Sequence, residues 1–245
     1  MELLNTKTAA LKWLYQDELH HLSSIDLLER DLVEIAYAGT NSLLLINSET
    51  MLIHCKDPAQ WDELLTALLK RLDPDRWYIL KAHEDWYLEE LKDKTGFSEV
   101  SEVYNSIYPK DLALSSEVPP DVQIKPLTMA DFSFVRKVYL TVDDDDYIRE
   151  RIAEGMLGAW YKNELAGFMG THSDSTMGLL EVLPQYRRLG IGKALEHEMM
   201  KKLRSQGRRT YGNIMKDNPM SYMIHEKMGA LISQRPIYWL FRPDA

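Results

Sequence analysis

The residues best suited to bind an anion lie in one short segment, Val182 to Lys193, which reads Val-Leu-Pro-Gln-Tyr-Arg-Arg-Leu-Gly-Ile-Gly-Lys. A strand-like run ends here, and an amphipathic helix begins at the two glycines. This helix is predicted over residues 191–206, because Ile191, Leu195, Met199 and Leu203 recur every four positions. The first turn of a helix has free N–H groups and a partial positive charge, and glycine lets an anion approach that backbone closely. Arg187, Arg188 and Lys193 add charged donors. The segment therefore predicts a site for a pyrophosphate.

The spacing Arg187-x-x-Gly190-x-Gly192 separates this segment from two common nucleotide-binding motifs. It lacks the later glycine of the dinucleotide motif G-x-G-x-x-G, and it lacks the Lys-Ser/Thr pair of a P-loop. Two glycines before a helix also fit an ordinary turn between a strand and a helix. In that alternative the protein is a plain structural domain that binds no nucleotide here.

In its context, the segment resembles the acyl-CoA signature of the GNAT superfamily of N-acetyltransferases, Arg/Gln-x-x-Gly-x-Gly/Ala after a strand that reads like Val-x-Pro-x-Tyr. The matching residues are Val182, Pro184, Tyr186, Arg187, Gly190 and Gly192. A second segment, Asn218 to Ala230, resembles the family's Asn-x-x-Ala-x-x-Leu-Tyr-x-Lys-x-Gly-Phe. The resemblance covers roughly residues 122–241, and it implies a mixed central sheet flanked by helices.

The resemblance implies that acetyl-CoA, or another acyl-CoA, is the co-substrate. The pantetheine arm would pair with the backbone near Val182 and Leu183, and Asn218 would lie near the pantetheine or its sulfur. The pyrophosphate would be surrounded by the backbone amides of Arg188, Leu189, Gly190, Ile191, Gly192 and Lys193.

The family's proton donor is replaced in this chain. Where many members carry a Tyr that protonates the leaving thiolate, this chain has His225, and histidine can transfer a proton near neutral pH. The alternative for His225 is a helix histidine without a role. Tyr222 lies three residues earlier on the same helical face and is a second candidate, with core packing as its alternative.

The sequence does not identify the general base. The positions where family members carry a glutamate correspond to Thr176 and Asn213, and neither residue is acidic. Glu181 is the carboxylate inside the strand that precedes the motif and is therefore the candidate base. His172 and Asp174 are weaker candidates that would act through water. An amine that is already neutral would need no strong base.

A segment with two prolines and two serines, Leu112 to Asp121, predicts a linker. It divides the chain into an α/β domain, residues 1–111, and a GNAT domain, residues 122–245, each long enough for its own core. The predicted strands include a short one at residues 77–80 and a long final one at residues 230–241. The run Leu-Pro-Gln-Tyr-Arg narrows the resemblance to glycine N-acyltransferases, which carry an extra N-terminal region. Residues 1–111 would then be a decayed GNAT-like half that does not bind CoA, because they contain no Arg-x-x-Gly-x-Gly.

The composition of the chain limits the kinds of ligand and partner that are expected. The net charge of −9 disfavours nucleic acid, which needs a basic surface. The single cysteine, Cys55, is expected in a buried strand, and it excludes an intrachain disulfide, which favours a reducing compartment. The chain shows no signal peptide and no apolar run of roughly 20 residues, so a cytoplasmic protein without a membrane partner is predicted. The spacing of His, Cys and carboxylate residues predicts no metal site.

These observations predict an N-acyltransferase that moves an acetyl or other acyl group from acyl-CoA to the primary amine of a small molecule, amino acid or peptide. The alternative is a non-catalytic acyl-CoA-binding module, which the missing glutamate and His225 motivate. Four carboxylates, Asp143 to Asp146, begin a predicted helix that borders the acceptor groove in the family. They would attract a cationic amine or, alternatively, cap that helix.

Overall fold

The computed structural model describes residues 3–47, 49–73, 79–114 and 117–243. The chain forms two compact units, residues 1–107 together with 213–245, and residues 108–212. This division differs from the predicted one, which assigned everything after the linker to a single domain. The difference arises because the last strand, Ile237–Phe241, pairs between two strands of the first unit.

Helices and strands alternate along the chain, as expected for a mixed α/β fold. The helices are α1 Lys7–Leu14, α2 Leu22–Glu29, α3 Trp61–Arg71, α4 Leu88–Thr95, α5 Phe132–Val138, α6 Asp145–Ala153, α7 Ile191–Ser205 and α8 Pro219–Lys227. The strands are β1 Glu34–Ala38, β2 Ser42–Ile46, β3 Thr50–Cys55, β4 Ile79–Ala82, β5 Glu99–Ile107, β6 Val122–Pro126, β7 Leu157–Tyr161, β8 Glu164–Thr171, β9 Met177–Val182, β10 Tyr211–Met215, β11 Leu231–Ile232 and β12 Ile237–Phe241.

The sheet of the first unit is mixed, with strand order β1-β2-β3-β4-β12-β5 and β11 beside β5. Strands β3 and β4 are parallel, whereas β12 is antiparallel to both of its neighbours. The predicted final strand, residues 230–241, is interrupted and forms β11 and β12. The predicted strand at residues 77–80 lies partly outside the described residues, as do positions 115 and 116 of the predicted linker.

Two hydrophobic cores hold helices on both faces of this sheet. Successive side chains of a strand point to opposite faces, so in β2 Leu44 packs towards α3 and α4 while Leu43 packs towards α1 and α2. Helix α3 buries one stripe, Trp61, Leu64, Leu65 and Leu68. Cys55 lies buried at the end of β3, as predicted.

The second unit contains the antiparallel strands β9-β8-β7-β6, with the start of β10 parallel to β9. Helix α7 covers one face and buries the predicted stripe of Ile191, Leu195, Met199 and Leu203. Helices α5 and α6 cover the other face, where Val135 and Ile148 pack on Phe168 and Leu179. None of the helices in the described part of the chain has both the length and the apolar character needed to span a bilayer.

Candidate functional site

Strand β9 is bent halfway along its pairing with β8. The register shifts between Phe168 and Gly170, and Leu179 has a φ of 49°, which is uncommon for a residue other than glycine. The side chain of Leu179 is 2% exposed and packs in the core below α5 and α6. A bulge of this kind bends a strand and increases its local twist, so it sets the direction of the second half of β9.

Beyond the bulge, β9 presents backbone groups at an open edge. The N–H of Leu183 donates to Ala166 O at 2.9 Å, which directs the Leu183 backbone towards β8. Backbone groups alternate in direction along a strand, so the N–H and C=O of Val182 point to the other edge. On that edge, the pairing with β10 among the described residues is limited to Gly212 opposite Met177. Val182 therefore offers its backbone to a ligand.

Arg187 contacts this same edge. Its Nε donates to Val182 O at 3.0 Å. A short turn, Pro184–Tyr186, follows the strand, and Tyr186 N–H donates to Leu183 O at 2.9 Å. Both backbone groups of Leu183 are therefore used within the protein. Pairing of pantetheine with Val182 and Leu183 stays a prediction, and of their backbone groups the N–H of Val182 is directed to the open edge.

The loop from β9 to α7 reaches the helix through two residues in the left-handed region, Arg188 with φ of 64° and Gly190 with φ of 79°. Gly190 is the N-cap of α7 and provides no side-chain cap. The first-turn amides of α7 are therefore left to other acceptors. Gly192 is helical, and a Cβ there would meet Val182 Cγ2 at 3.8 Å, an ordinary contact.

The start of α7 is positively charged. No acidic residue lies in its first turn, and the side chains of Arg187, Arg188 and Lys193 are exposed. These charges add to the positive end of the helix dipole. A cavity of about 350 Å³ adjoins this helix start, lined by Glu117, Val118, Pro119, Pro120, Gly190, Lys193, Ala194 and His197.

Glu181 is half-buried on the face of the sheet that α5 and α6 cover. Its strand neighbours Leu180 and Val182 pack towards α7, so the alternation along β9 points Glu181 to the opposite face, where Tyr139 is 6% exposed. Burial raises the pKa of Tyr139, and the Glu181 carboxylate raises the same pKa further. The candidate base therefore lies on the face opposite α7, directly beside the open backbone of Val182.

The two weaker base candidates differ in what they contact. Asp174 accepts from Thr176 N–H at 3.1 Å and from the Thr176 hydroxyl at 2.6 Å, so it stabilises the turn between β8 and β9. His172 is hydrogen-bonded through Nδ1 to the Tyr147 hydroxyl at 2.7 Å. Its ring lies over Gly178, where any Cβ would collide with Nε2. Sequence spacing gave no sign of Tyr139 or Tyr147, because both come from helices packed on the sheet.

The four carboxylates at the start of α6 have mostly structural partners. Asp144 is the N-cap and accepts from Asp146 N–H at 2.9 Å and Tyr147 N–H at 3.0 Å. Asp143 and Asp145 form ion pairs with Arg136. The capping interpretation is confirmed, and three of the four carboxylates are engaged within the protein.

The remaining predicted residues lie on α8, in the first unit. Asn218 Oδ1 accepts from Ser221 N–H at 3.0 Å and caps this helix. Tyr222 is 37% exposed, with an edge-to-face contact to Tyr104 at 6.2 Å, so core packing does not account for it. His225 is half-buried, and burial lowers its pKa. A cavity of about 440 Å³ lies beside this helix, lined by Tyr104, Lys216, Pro219, Tyr222, Met223, Ser233 and Gln234.

Comparisons with known proteins concern the family and the fold. Residues 122–230 match the acetyltransferase (GNAT) family, whereas no curated protein sequence matches the chain. A Drosophila protein of known structure is 14% identical, with a TM-score of 0.71 over 98% of this chain and 96% of that chain. A GCN5-related N-acetyltransferase from Kribbella flavida is 15% identical, with a TM-score of 0.59 over 93% of this chain and 96% of that chain.

A tandem GNAT protein from the clavulanic acid biosynthesis pathway is 13% identical, with a TM-score of 0.50, and the match covers 100% of both chains. At such identities the likeness concerns the fold. The chain therefore has the fold of GNAT proteins, and its residues 122–230 match the acetyltransferase (GNAT) family.

Proposed function

We propose that this protein transfers an acyl group, in the simplest case acetyl, from acyl-CoA to the primary amine of a small molecule, amino acid or peptide. One observation carries the proposal. The N–H of Val182 faces the open edge of β9, and the loop that follows leads to a helix whose first turn is uncapped, flanked by basic side chains and free of acidic ones. An extended amide-containing arm followed by a pyrophosphate fits such an edge and such a helix start.

Backbone amides and basic side chains would both contribute to the binding of CoA. The amides of residues 188–193 would surround the pyrophosphate, with Lys193 and Arg188 adding charge. The pantetheine amide would take the place of Arg187 at Val182 O, which would release the guanidinium towards the phosphates. Arg187 thus protects the strand edge in the free protein and binds the anion in the complex.

The chemistry requires attack of an amine on a thioester carbonyl. The N–C bond forms and the carbonyl oxygen becomes negative, and the N–H of Val182 is placed to stabilise that charge. Glu181, on the neighbouring position of the strand, accepts a proton from the attacking nitrogen. The C–S bond then breaks, and the thiolate takes up a proton. That His225 or Tyr222 donates this proton rests on the family resemblance.

A non-catalytic acyl-CoA-binding protein is the second candidate, and two contacts favour it. The positions of the family's glutamates are used for structure, because the Thr176 hydroxyl donates to Asp174 and Asn213 Nδ2 donates to Asn105 Oδ1 at 2.7 Å. This candidate predicts CoA binding without turnover on any amine. From the narrower resemblance to glycine N-acyltransferases we also propose that the acceptor is a glycine-like amino acid.

Thermal melting of the full chain with acetyl-CoA, beside GTP as an unrelated nucleotide, tests the binding. A ligand at 100 times its dissociation constant stabilises the folded state by about 2.7 kcal/mol, so a clear rise in Tm is expected with acetyl-CoA alone. Gly190→Asp should abolish the rise, because it places a carboxylate at the pyrophosphate. Gly192→Ala is the matched control and should retain it. No rise with acetyl-CoA or longer acyl-CoAs at millimolar concentration would refute the proposal.

Release of free CoA, followed with a thiol reagent during a screen of amines, separates the two candidates. The background is low because the one protein thiol, Cys55, is buried and burial raises its pKa to about 11. Turnover that falls about 10²–10⁴-fold in Glu181→Gln, with unchanged acetyl-CoA affinity, supports general-base catalysis. Binding without turnover across the screen would favour the non-catalytic protein.

A further inference from the structure

Four histidines meet in the interior of the first unit, and none of them is more than 2% exposed. His20 and His21 directly precede α2, His54 lies in β3 and His83 follows β4. One ring nitrogen from each of His21, His54 and His83 lies within 4.8 Å of the other two. The His54 and His83 rings stack with centroids 3.8 Å apart, and His21 is 4.9 Å from His54.

The outward-facing nitrogens of this cluster are anchored. His83 Nδ1 donates to Ile53 O at 3.2 Å, and His54 Nε2 is hydrogen-bonded to the Ser24 hydroxyl at 2.8 Å. This pattern is typical of metal-binding histidines, in which one ring nitrogen is held by a backbone carbonyl or polar group and the other faces the ion. The anchoring leaves His83 Nε2 and His54 Nδ1 as the nitrogens free to act as ligands.

The inward-facing nitrogens lack hydrogen-bond partners among the described residues. These atoms are His54 Nδ1 and both ring nitrogens of His21. Unsatisfied buried polar atoms cost about 1–3 kcal/mol each, and packing alone gives no reason to place three imidazoles together. A metal ion would accept one lone pair from each of the three rings, because a neutral imidazole offers a single acceptor nitrogen.

We propose that His21, His54 and His83 bind one Zn²⁺ ion that links the start of α2 to strands β3 and β4. A set of three imidazoles without thiolate or carboxylate suits zinc and its transition-metal neighbours, whereas Mg²⁺ and Ca²⁺ need oxygen ligands. A fourth position falls to water or to His20, whose ring centroid is 4.9 Å from that of His21. The site is structural, because it is closed to solvent.

Binding requires a modest rearrangement. Zn–N distances of about 2.0–2.1 Å place tetrahedral ligand nitrogens about 3.4 Å apart, compared with the present limit of 4.8 Å. The stacked rings of His54 and His83 must also turn, since the ion lies in the plane of each ring that binds it. Both changes would come from rotation about the side-chain bonds of the three histidines.

The test uses the full chain with any affinity tag removed. The protein is unfolded with a chelator, refolded with Zn²⁺, with Mg²⁺ or without metal, and analysed for bound metal and Tm. We expect one Zn²⁺ per chain, a higher Tm with Zn²⁺ than with Mg²⁺, and visible tetrahedral absorption bands when Co²⁺ replaces Zn²⁺. A refolded protein that takes up no Zn²⁺, gains no Tm and gives no Co²⁺ bands would overturn the proposal.

Variants then locate the ion. His21→Gln and His54→Gln should lose the bound metal, and Ser24→Ala should bind it about 10–100-fold more weakly, because it removes the group that holds His54. His197→Gln, which removes an imidazole of the second unit, is the matched control and should keep one ion. Metal that persists in both ligand variants would refute the assignment. If those variants do not fold, the Ser24→Ala affinity and the wild-type Co²⁺ spectrum decide the question.

Discussion

The two glycines of the loop before α7 are predicted to respond in opposite directions to the same substitution. Gly190 has a φ of 79°, whereas Gly192 is the second residue of α7. An alanine at position 190 must adopt a left-handed conformation that its Cβ disfavours. An alanine at position 192 adopts ordinary helical angles and removes a flexible residue from the helix.

The magnitudes follow from these local geometries. The left-handed conformation costs an alanine roughly 1–2 kcal/mol, and the nearest atom to its Cβ, Pro119 Cγ at 3.4 Å, adds little. Gly192→Ala should gain about 0.5–1 kcal/mol, since its Cβ meets Val182 Cγ2 at 3.8 Å without strain. The two variants should therefore differ by about 2 kcal/mol, or roughly 8–16 °C in Tm for a unit of about a hundred residues.

Urea denaturation followed by far-ultraviolet circular dichroism measures the difference. Circular dichroism is preferable to tryptophan fluorescence because one of the six tryptophans, Trp160, belongs to the second unit. Both variants are also titrated with acetyl-CoA. Gly190→Ala should lose both stability and affinity, whereas Gly192→Ala should gain stability and retain affinity.

Equal stability of Gly190→Ala and the wild type would contradict the left-handed geometry of the loop. A larger loss in Gly192→Ala than in Gly190→Ala would contradict the assignment of the helix start. If Gly190→Ala loses stability but keeps its affinity for acetyl-CoA, the glycine serves the turn and the pyrophosphate lies elsewhere.

Two further predictions concern titratable residues. Burial raises the pKa of the Glu196 carboxyl from 4.5 to about 7. The contribution of Glu196 to the free energy of unfolding is therefore complete below about pH 4.5 and is lost as the pH rises through about 7, a decline of about 3 kcal/mol. Glu196→Gln should flatten that decline in urea titrations between pH 4.5 and 8, and an unchanged slope would assign it to another group. His225→Phe should lower turnover more than acetyl-CoA affinity if His225 protonates the thiolate; wild-type turnover in this variant, with a loss in Tyr222→Phe, would transfer the role to Tyr222.

Local patterns predicted the elements that carry the candidate site. Helix α7 was expected over residues 191–206 and spans Ile191–Ser205, because its apolar residues recur every four positions. The final strand was predicted as continuous, but Pro236 has no N–H to donate and the chain forms β11 and β12 around it. The place of β12 between β4 and β5 has no local signal, since it depends on pairing across more than a hundred residues.

The two candidate binding sites differ in the same way, because one lies in a continuous segment and the other joins residues that are distant in sequence. Arg187, Gly190 and Gly192 are readable from sequence because the loop and helix start are one continuous segment. The imidazoles of His21, His54 and His83 are far apart in sequence, and each taken alone resembles a core histidine. The expectation of no metal site rested on sequence spacing, which does not report contacts that the sheet creates.

The bulge in β9 determines which face of the sheet carries Glu181, the candidate base. In a regular strand, residues 177, 179 and 181 would share a face. Met177 packs on the α7 side, so a regular strand would also place Glu181 there. The bulge at Leu179 reverses the alternation, because Leu179 packs towards α5 and α6 while Leu180 and Val182 pack towards α7. Glu181 therefore faces the α5 and α6 side, and its suitability as a base depends on one leucine held at positive φ.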